Sequence, residues 1–145
     1  MRYDPNNPFA RILRGELPCV KVFEDEHTLA IMDIMPQAEG HVLVLPKEPA
    51  AELFALSDET AAACIRTTKK VATAVKSVLN APGIMVAQFN GAAAGQTVAH
   101  VHFHIVPRHE AAPLKPHASA QADIGELQAL AARIIAALRE PNGAA

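Results

Sequence analysis

With 145 residues, half of them hydrophobic and 19% charged, the chain is long enough to bury a core and of a size for one domain spanning 1–145. Five Phe, one Tyr and no Trp leave that core to be built from Val, Ile, Leu and Ala. A net charge of −2 provides no basic field for a nucleic acid partner, so any nucleotide must be held by a local site.

In chain order, Asn7-Pro8 followed by Phe9, Ile12, Leu13 and Gly15 reads as a short helix with an Asn cap, Pro in its first turn and a Gly stop. Val20 to Phe23 and Thr28 to Asp33 read as strands joined by a turn at Glu24 to His27. Pro36 and Gly40 mark the next turn, and His41 to Leu45 is strand-like up to Pro46. A long helix starts at Ser57, with Asp58 and Glu59 in its first turn. Its apolar stripe runs Ala61, Cys64, Ile65, Thr68, Val71, Ala72, Val75, Val78 and Leu79, and Asn80 to Gly83 ends it. Ile84 to Phe89 and Val98 to Val106 read as strands around a small-residue loop, Asn90 to Gln96. After an irregular stretch from Pro107 to His117, Asp123 to Leu138 closes the chain as an amphipathic helix carrying Ile124, Leu127, Leu130, Ala131, Ile134 and Leu138 on one side. The order of elements predicts an α+β fold, an antiparallel sheet of about five strands with a long central helix.

The Met1–Asn7 segment lacks the apolar centre of a secretory signal, and no stretch approaches the ~18 apolar residues that span a membrane. Cys19 and Cys64, far apart and outside any Cys-x-x-Cys pattern, read as reduced, packed thiols. A cytoplasmic setting without a membrane partner is the expectation.

His100-Val101-His102-Phe103-His104-Ile105-Val106 carries most of the chemical information. In an extended segment side chains alternate, so His100, His102 and His104 share one face, about 6.5–7 Å apart, while Val101, Phe103 and Ile105 share the other. Such a face suits either metal binding or nucleophilic catalysis with neighbouring imidazoles as proton donors. The loop before it, Asn90-Gly91-Ala92-Ala93-Ala94-Gly95-Gln96-Thr97, favours the second. It is small and neutral, its backbone N–H groups can approach an anion, and Gln96 and Thr97 add side-chain donors for a phosphate.

The run Gly95-Gln96-Thr97-Val98-Ala99 through His100 to Arg108 resembles the signature of the histidine triad superfamily, His-φ-His-φ-His-φ-φ with φ apolar. Phe9 to Pro18, Val22 to Asp25, Asp33-Ile34 and Gly40 to Lys47 are similar to its bacterial nucleotide-binding-protein branch, so the resemblance covers about residues 9–108, with a loop and helix over 109–145 outside it.

That resemblance implies a histidine triad fold and a hydrolase or transferase that attacks the α-phosphate of a purine nucleoside phosphoramidate or adenylate through a nucleotidyl-histidine intermediate. It implies His102 as nucleophile, His104 near the leaving group, and His100 and His41 supporting them. It assigns nucleotide contacts to Asp33, Ile34, Asn90, Gly95, Gln96 and Thr97 as well as to His102 and His104. Phe9, Ile12 and Ile31 are candidates to flank the base, and equally candidates for core. A homodimer is implied by the family alone. Many bacterial members carry Cys-x-x-Cys where this chain has Asn7 to Ala10, and His where it has Pro49, as part of a structural zinc site, so no metal cofactor is expected here. Ala99 replaces a bulkier residue, and His109 and His117 read as exposed loop positions. A dinucleoside polyphosphate hydrolase, a non-catalytic nucleotide-binding interaction protein and a metal-dependent hydrolase are the competing readings.

Overall fold

Asn7 opens the first helix, α1 (Pro8–Leu13), by accepting the Ala10 N–H on its side-chain oxygen at 2.9 Å. Pro8 takes the first turn, where its missing N–H costs nothing. The computed structural model describes residues 2–110, 112–116 and 120–140, so the expectation for His117 falls outside the described residues. Five antiparallel strands follow α1 in the order β1-β2-β3-β5-β4: β1 (Lys21–Glu24), β2 (Thr28–Met32), β3 (Val42–Pro46), β4 (Gly83–Gln88) and β5 (Phe103–Arg108). Between β3 and β4 lie a short 3₁₀ turn (Leu53–Ala55) and α2 (Asp58–Leu79), and α3 (Ile124–Leu138) ends the fold. Ser57 and Asp123 cap α2 and α3, and Asn80 closes α2 in the left-handed conformation. Among the described residues no helix is long and apolar enough to cross a membrane.

Both faces of the sheet are covered, which explains the unbroken apolar runs of β2 and β3. Ala30, Met32, Val42, Val44, Val101, Phe103 and Ile105 pack with α2 and α3 residues such as Cys64, Val71, Val75, Leu127 and Ile134. The alternate positions Leu29, Ile31, Leu43 and Leu45 pack with Phe9 of α1 on the opposite face. His102 and His104 emerge on that second side because Val101, Phe103 and Ile105 occupy the first.

Three sequence expectations shift. The histidine strand begins at Phe103 rather than Val98: β4 ends at Gln88, opposite Phe103, and the β3 ladder stops at the Val44–Phe103 pair although β3 itself runs on to Pro46 beside β2. Before that point the chain is held individually, Val101 N–H donating to Ala50 C=O at 2.9 Å. At the other end β5 continues through Pro107 to Arg108, beyond the β3 ladder and beside β4 alone. Ile65 is 53% exposed and Ile124 40%, so the buried face of α2 is filled instead by Thr60, Ala63, Thr67 and Ala74 beside Cys64, Thr68, Val71 and Val75. Small side chains let the helix approach the sheet, and hydrophobicity alone does not reveal that spacing. Cys19 and Cys64 are free thiols, as expected.

Gly40 sets the turn into β3 with φ +89°, and a Cβ there would overlap Leu79 Cδ1 and stand 3.1 Å from Pro107 Cγ. Gly40→Ala is expected to destabilise the fold by about 2–4 kcal/mol, through left-handed strain plus overpacking. Urea unfolding checks this, and a loss below about 0.5 kcal/mol would show that the turn relaxes freely.

Candidate active site

Register brings the site together across three strands. His104 pairs with Leu43 and Leu43 with Ile31, so these side chains form a row on the α1 side of the sheet. His41, one residue before β3 and two before Leu43, joins the same side. Above the row lies a cleft of about 390 Å³, walled by Phe9 and Ile12 of α1, by Cys19 and Ile31, and at its polar end by Asp33, Thr97, His102 and His104. That volume suits a small-molecule ligand.

Hydrogen bonds set which nitrogen of each imidazole carries the proton. His102 Nδ1 lies 2.7 Å from the carbonyl of His100, so Nδ1–H donates and the lone pair resides on Nε2. His100 Nε2–H donates to Pro46 C=O at 2.9 Å, and its Nδ1 accepts from the Tyr3 hydroxyl at 2.8 Å. Burial holds the His100 imidazole below its ordinary pKa, a trend the Pro46 carbonyl opposes. His41 Nδ1 accepts the Gln37 N–H at 3.0 Å, which leaves the proton on Nε2. From there it faces His104 Nδ1 at 3.0 Å and Asp33 Oδ2 at 3.5 Å. With Nδ1 of His104 accepting, its own proton belongs on Nε2. One backbone N–H therefore fixes an ordered relay, Gln37 to His41 to His104. In this arrangement His41 carries one ring proton, directed at His104, so the 3.5 Å approach of Asp33 is not a formal ion pair.

Among the described residues, Asp33, His41 and His104 each place a ligand atom within 4.8 Å of the others, a spacing a metal could use. The Gln37 N–H argues against it: His41 Nε2 would have to give up its proton, leaving Nδ1–H against a donor. The structural zinc site of related proteins does not fit either. Asn7 caps α1 and donates to Asp4 C=O, and Ala10 and Pro49 offer no ligand atom.

Of the sequence-predicted nucleotide contacts, Asp33, Ile34, Thr97, His102 and His104 line the cleft, whereas Asn90, Gly95 and Gln96 stand outside its lining. Gln96 has partners within its own loop. Its Oε1 accepts the Gly91 N–H at 2.7 Å, and its Nε2 donates to Ala51 C=O at 2.7 Å and Val98 C=O at 2.9 Å, so the amide braces the loop. Asn90 is spent in the same way, accepting from Leu53 N–H and exchanging bonds with the Gln88 amide. The N–H groups of Ala94, Gly95 and Gln96 also turn inward, onto the Gly91 and Ala92 carbonyls. A Gly/Ala-rich run with two side-chain amides looks like an anion cradle until its internal turn, which includes a 3₁₀ segment at Ala92–Ala94, is seen to consume these donors. Sequence reasoning missed Tyr3 and the Gln37 N–H. The former is an isolated aromatic ahead of any periodic segment, and the latter is backbone, which leaves no residue-type signal. Phe9 has a second use, its ring edge-on to His102 at 4.9 Å between centroids.

Residues 14–111 match the HIT domain family model. The chain is 45% identical over 100 residues to adenosine 5'-monophosphoramidase hnt1 of Schizosaccharomyces pombe, covering 69% of this chain and 72% of that one. A HIT-like protein of Bartonella henselae involved in cell-cycle regulation superposes with a TM-score of 0.87 at 45% identity, over 93% of this chain and 98% of that one. A zinc-bound histidine triad protein of Mycobacterium smegmatis gives 0.79 at 34% identity, over 90% and 91% of the two chains. The fold and the histidine constellation thus define a histidine triad protein, and the chain belongs to the HIT family.

Two outcomes follow from the site. Gln96→Ala is expected to cost about 1–3 kcal/mol and to speed hydrogen exchange at the Gly91 amide, because a buried brace is lost; unchanged exchange there would contradict the bracing role. For His100 the unfolded chain, with a value near 6.5, binds the proton more readily than the fold does. Its contribution to stability is therefore full above that value and lost as pH falls through the lower folded one. Urea midpoints measured at pH about 7.5 and 5.5 should drop for the native chain and drop less for His100→Asn.

Proposed function

We propose that this HIT protein hydrolyses purine nucleoside phosphoramidates or adenylates through a nucleotidyl-histidine at His102. The single observation that carries the reading is the 2.7 Å bond from His102 Nδ1–H to the His100 carbonyl, which puts the nucleophilic lone pair on Nε2 of a residue lining the cleft. In the first step His102 Nε2 bonds to the α-phosphorus while the bond to the leaving amine breaks. His104 Nε2–H, oriented by His41, supplies the proton the amine takes. Water then attacks phosphorus, its proton returns to the relay, the P–N bond to His102 breaks, and AMP leaves. Thr97 at the polar end holds a non-bridging oxygen, Asp33 accepts from the ribose, and Phe9, Ile12, Ile31 and Ile34 flank the base. His100 acts behind them. The adenosine 5'-monophosphoramidase relative supports this substrate class.

We further propose a single-domain chain working as a cytoplasmic homodimer without a metal cofactor. The high pKa of both thiols, with Cys64 pushed up to about 12 by burial, supports a structural role for the cysteines that a reducing compartment preserves. β4 is an edge of the sheet, Val86 on it is 49% exposed, and Phe54, 82% exposed, sits in the 3₁₀ turn tied to the end of that strand through Leu53 N–H and Asn90. An apolar, unpaired edge is a natural pairing surface for a second copy. Sedimentation should give a dimer, and Val86→Arg a monomer; a monomeric native chain would remove this part of the reading.

The experiment for the chemistry is AMP release from adenosine 5'-phosphoramidate. His102→Ala should lower kcat by about 10³-fold or more, and exhaustive chelation should leave the native rate unchanged. Preferred turnover of diadenosine polyphosphates would reassign the leaving group. AMP binding without turnover of either substrate would favour a nucleotide-binding interaction protein.

A further inference from the structure

The peptide plane joining His100 to Val101 determines where the proposed nucleophile sits. Its C=O accepts from His102 Nδ1–H at 2.7 Å, and its N–H donates to Ala50 C=O at 2.9 Å. One end of that plane continues into a fully buried imidazole, His100. That ring spans two anchors: Nε2–H on Pro46 C=O, at the end of β3, and Nδ1 under the Tyr3 hydroxyl at 2.8 Å. The Tyr3 and His100 rings also pack at 5.6 Å between centroids, tilted by 58°. Phe9 meets His100 edge-on at 6.4 Å and His102 at 4.9 Å, so the aromatic packing encloses both histidines.

From this geometry we infer that Tyr3, on the segment preceding α1, is a positioning residue for the reaction: its hydroxyl fixes the buried His100 ring, and through the His100 carbonyl it holds the His102 imidazole in register with the cleft. The inference rests on the reading of His102 as nucleophile. Pro46 requires His100 Nε2 to be the donor, so in the neutral ring Nδ1 must accept, and the donor that reaches it is Tyr3. Without the hydroxyl that buried acceptor loses its partner, and the ring settles by rotating or by exchanging its proton between nitrogens. Either response moves the carbonyl on which the His102 tautomer depends. Small misplacements of a reacting group lower the rate of the chemical step, and ligand contacts stay in place because Tyr3 does not line the cleft.

The test is Tyr3→Phe, which keeps the ring and removes the hydroxyl. In histidine ¹⁵N NMR of the ligand-free protein, the His100 Nδ1 resonance is expected to move to that of an acceptor without a partner, and the His102 Nδ1–H signal is expected to move with it. In turnover of adenosine 5'-phosphoramidate, kcat should fall about five- to tenfold with KM within about twofold. Tyr3 is the sole tyrosine, so fluorotyrosine labelling changes the acidity of this one hydroxyl with the chain otherwise intact. It should shift the same two resonances even if Tyr3→Phe folds poorly. His102 resonances that stay fixed in both proteins, or a rise in KM with kcat unchanged, would overturn the inference. Should the native chain fail to turn over the amide, the proposed function falls, and the NMR comparison alone decides the role of Tyr3.

Discussion

The hydrogen bond from His102 to the carbonyl two residues before it is the constraint on which the site depends. An imidazole attacking through one nitrogen must keep its proton on the other, and a mobile ring would divide its time between tautomers. Here the acceptor is backbone and belongs to a peptide held on one side through the Val101 N–H on Ala50 and on the other through the anchored His100 ring. The sheet supplies the setting. Val101, Phe103 and Ile105 are driven into the core beneath α2 and α3, and that burial turns the histidines toward the other face.

The second element of order is the Gln37 N–H. A single backbone donor fixes His41, His41 fixes His104, and His104 is left as a proton donor. The loop containing Gln37 is itself tied down, Lys115 N–H bonding to Gln37 C=O and Ala122 N–H to Ile34 C=O. Backbone hydrogen bonds from the described residues between β5 and α3 thus reach the loop that orients His41. The same tautomer logic separates this cluster from a metal centre of similar spacing, since the nitrogen a cation would need already carries a proton.

Much of this was legible in the sequence, for definable reasons. Periodicity two through His100 to Ile105 announced which face the imidazoles share, caps at Asn7 and Ser57 announced the first two helices, and an apolar stripe announced the third. The strand limits were less legible, because β5 starts opposite the last residue of β4, which the β5 residues themselves do not announce. The bonds of Gln96 and Asn90 within the loop were not legible, because an amide side chain announces hydrogen-bonding capacity but not direction. Tyr3 and the Gln37 N–H were invisible, since one is an isolated aromatic and the other is a property of every peptide bond. Residue type reveals the candidate reacting groups here, and three-dimensional placement reveals what orients them.

The most direct measurement is to quench the reaction with an adenosine phosphoramidate during turnover and map the adenylyl group on the chain. The account requires it on Nε2 of His102. Attachment to Nδ1, to another histidine, or release of AMP with no covalent intermediate formed at any stage, would contradict it.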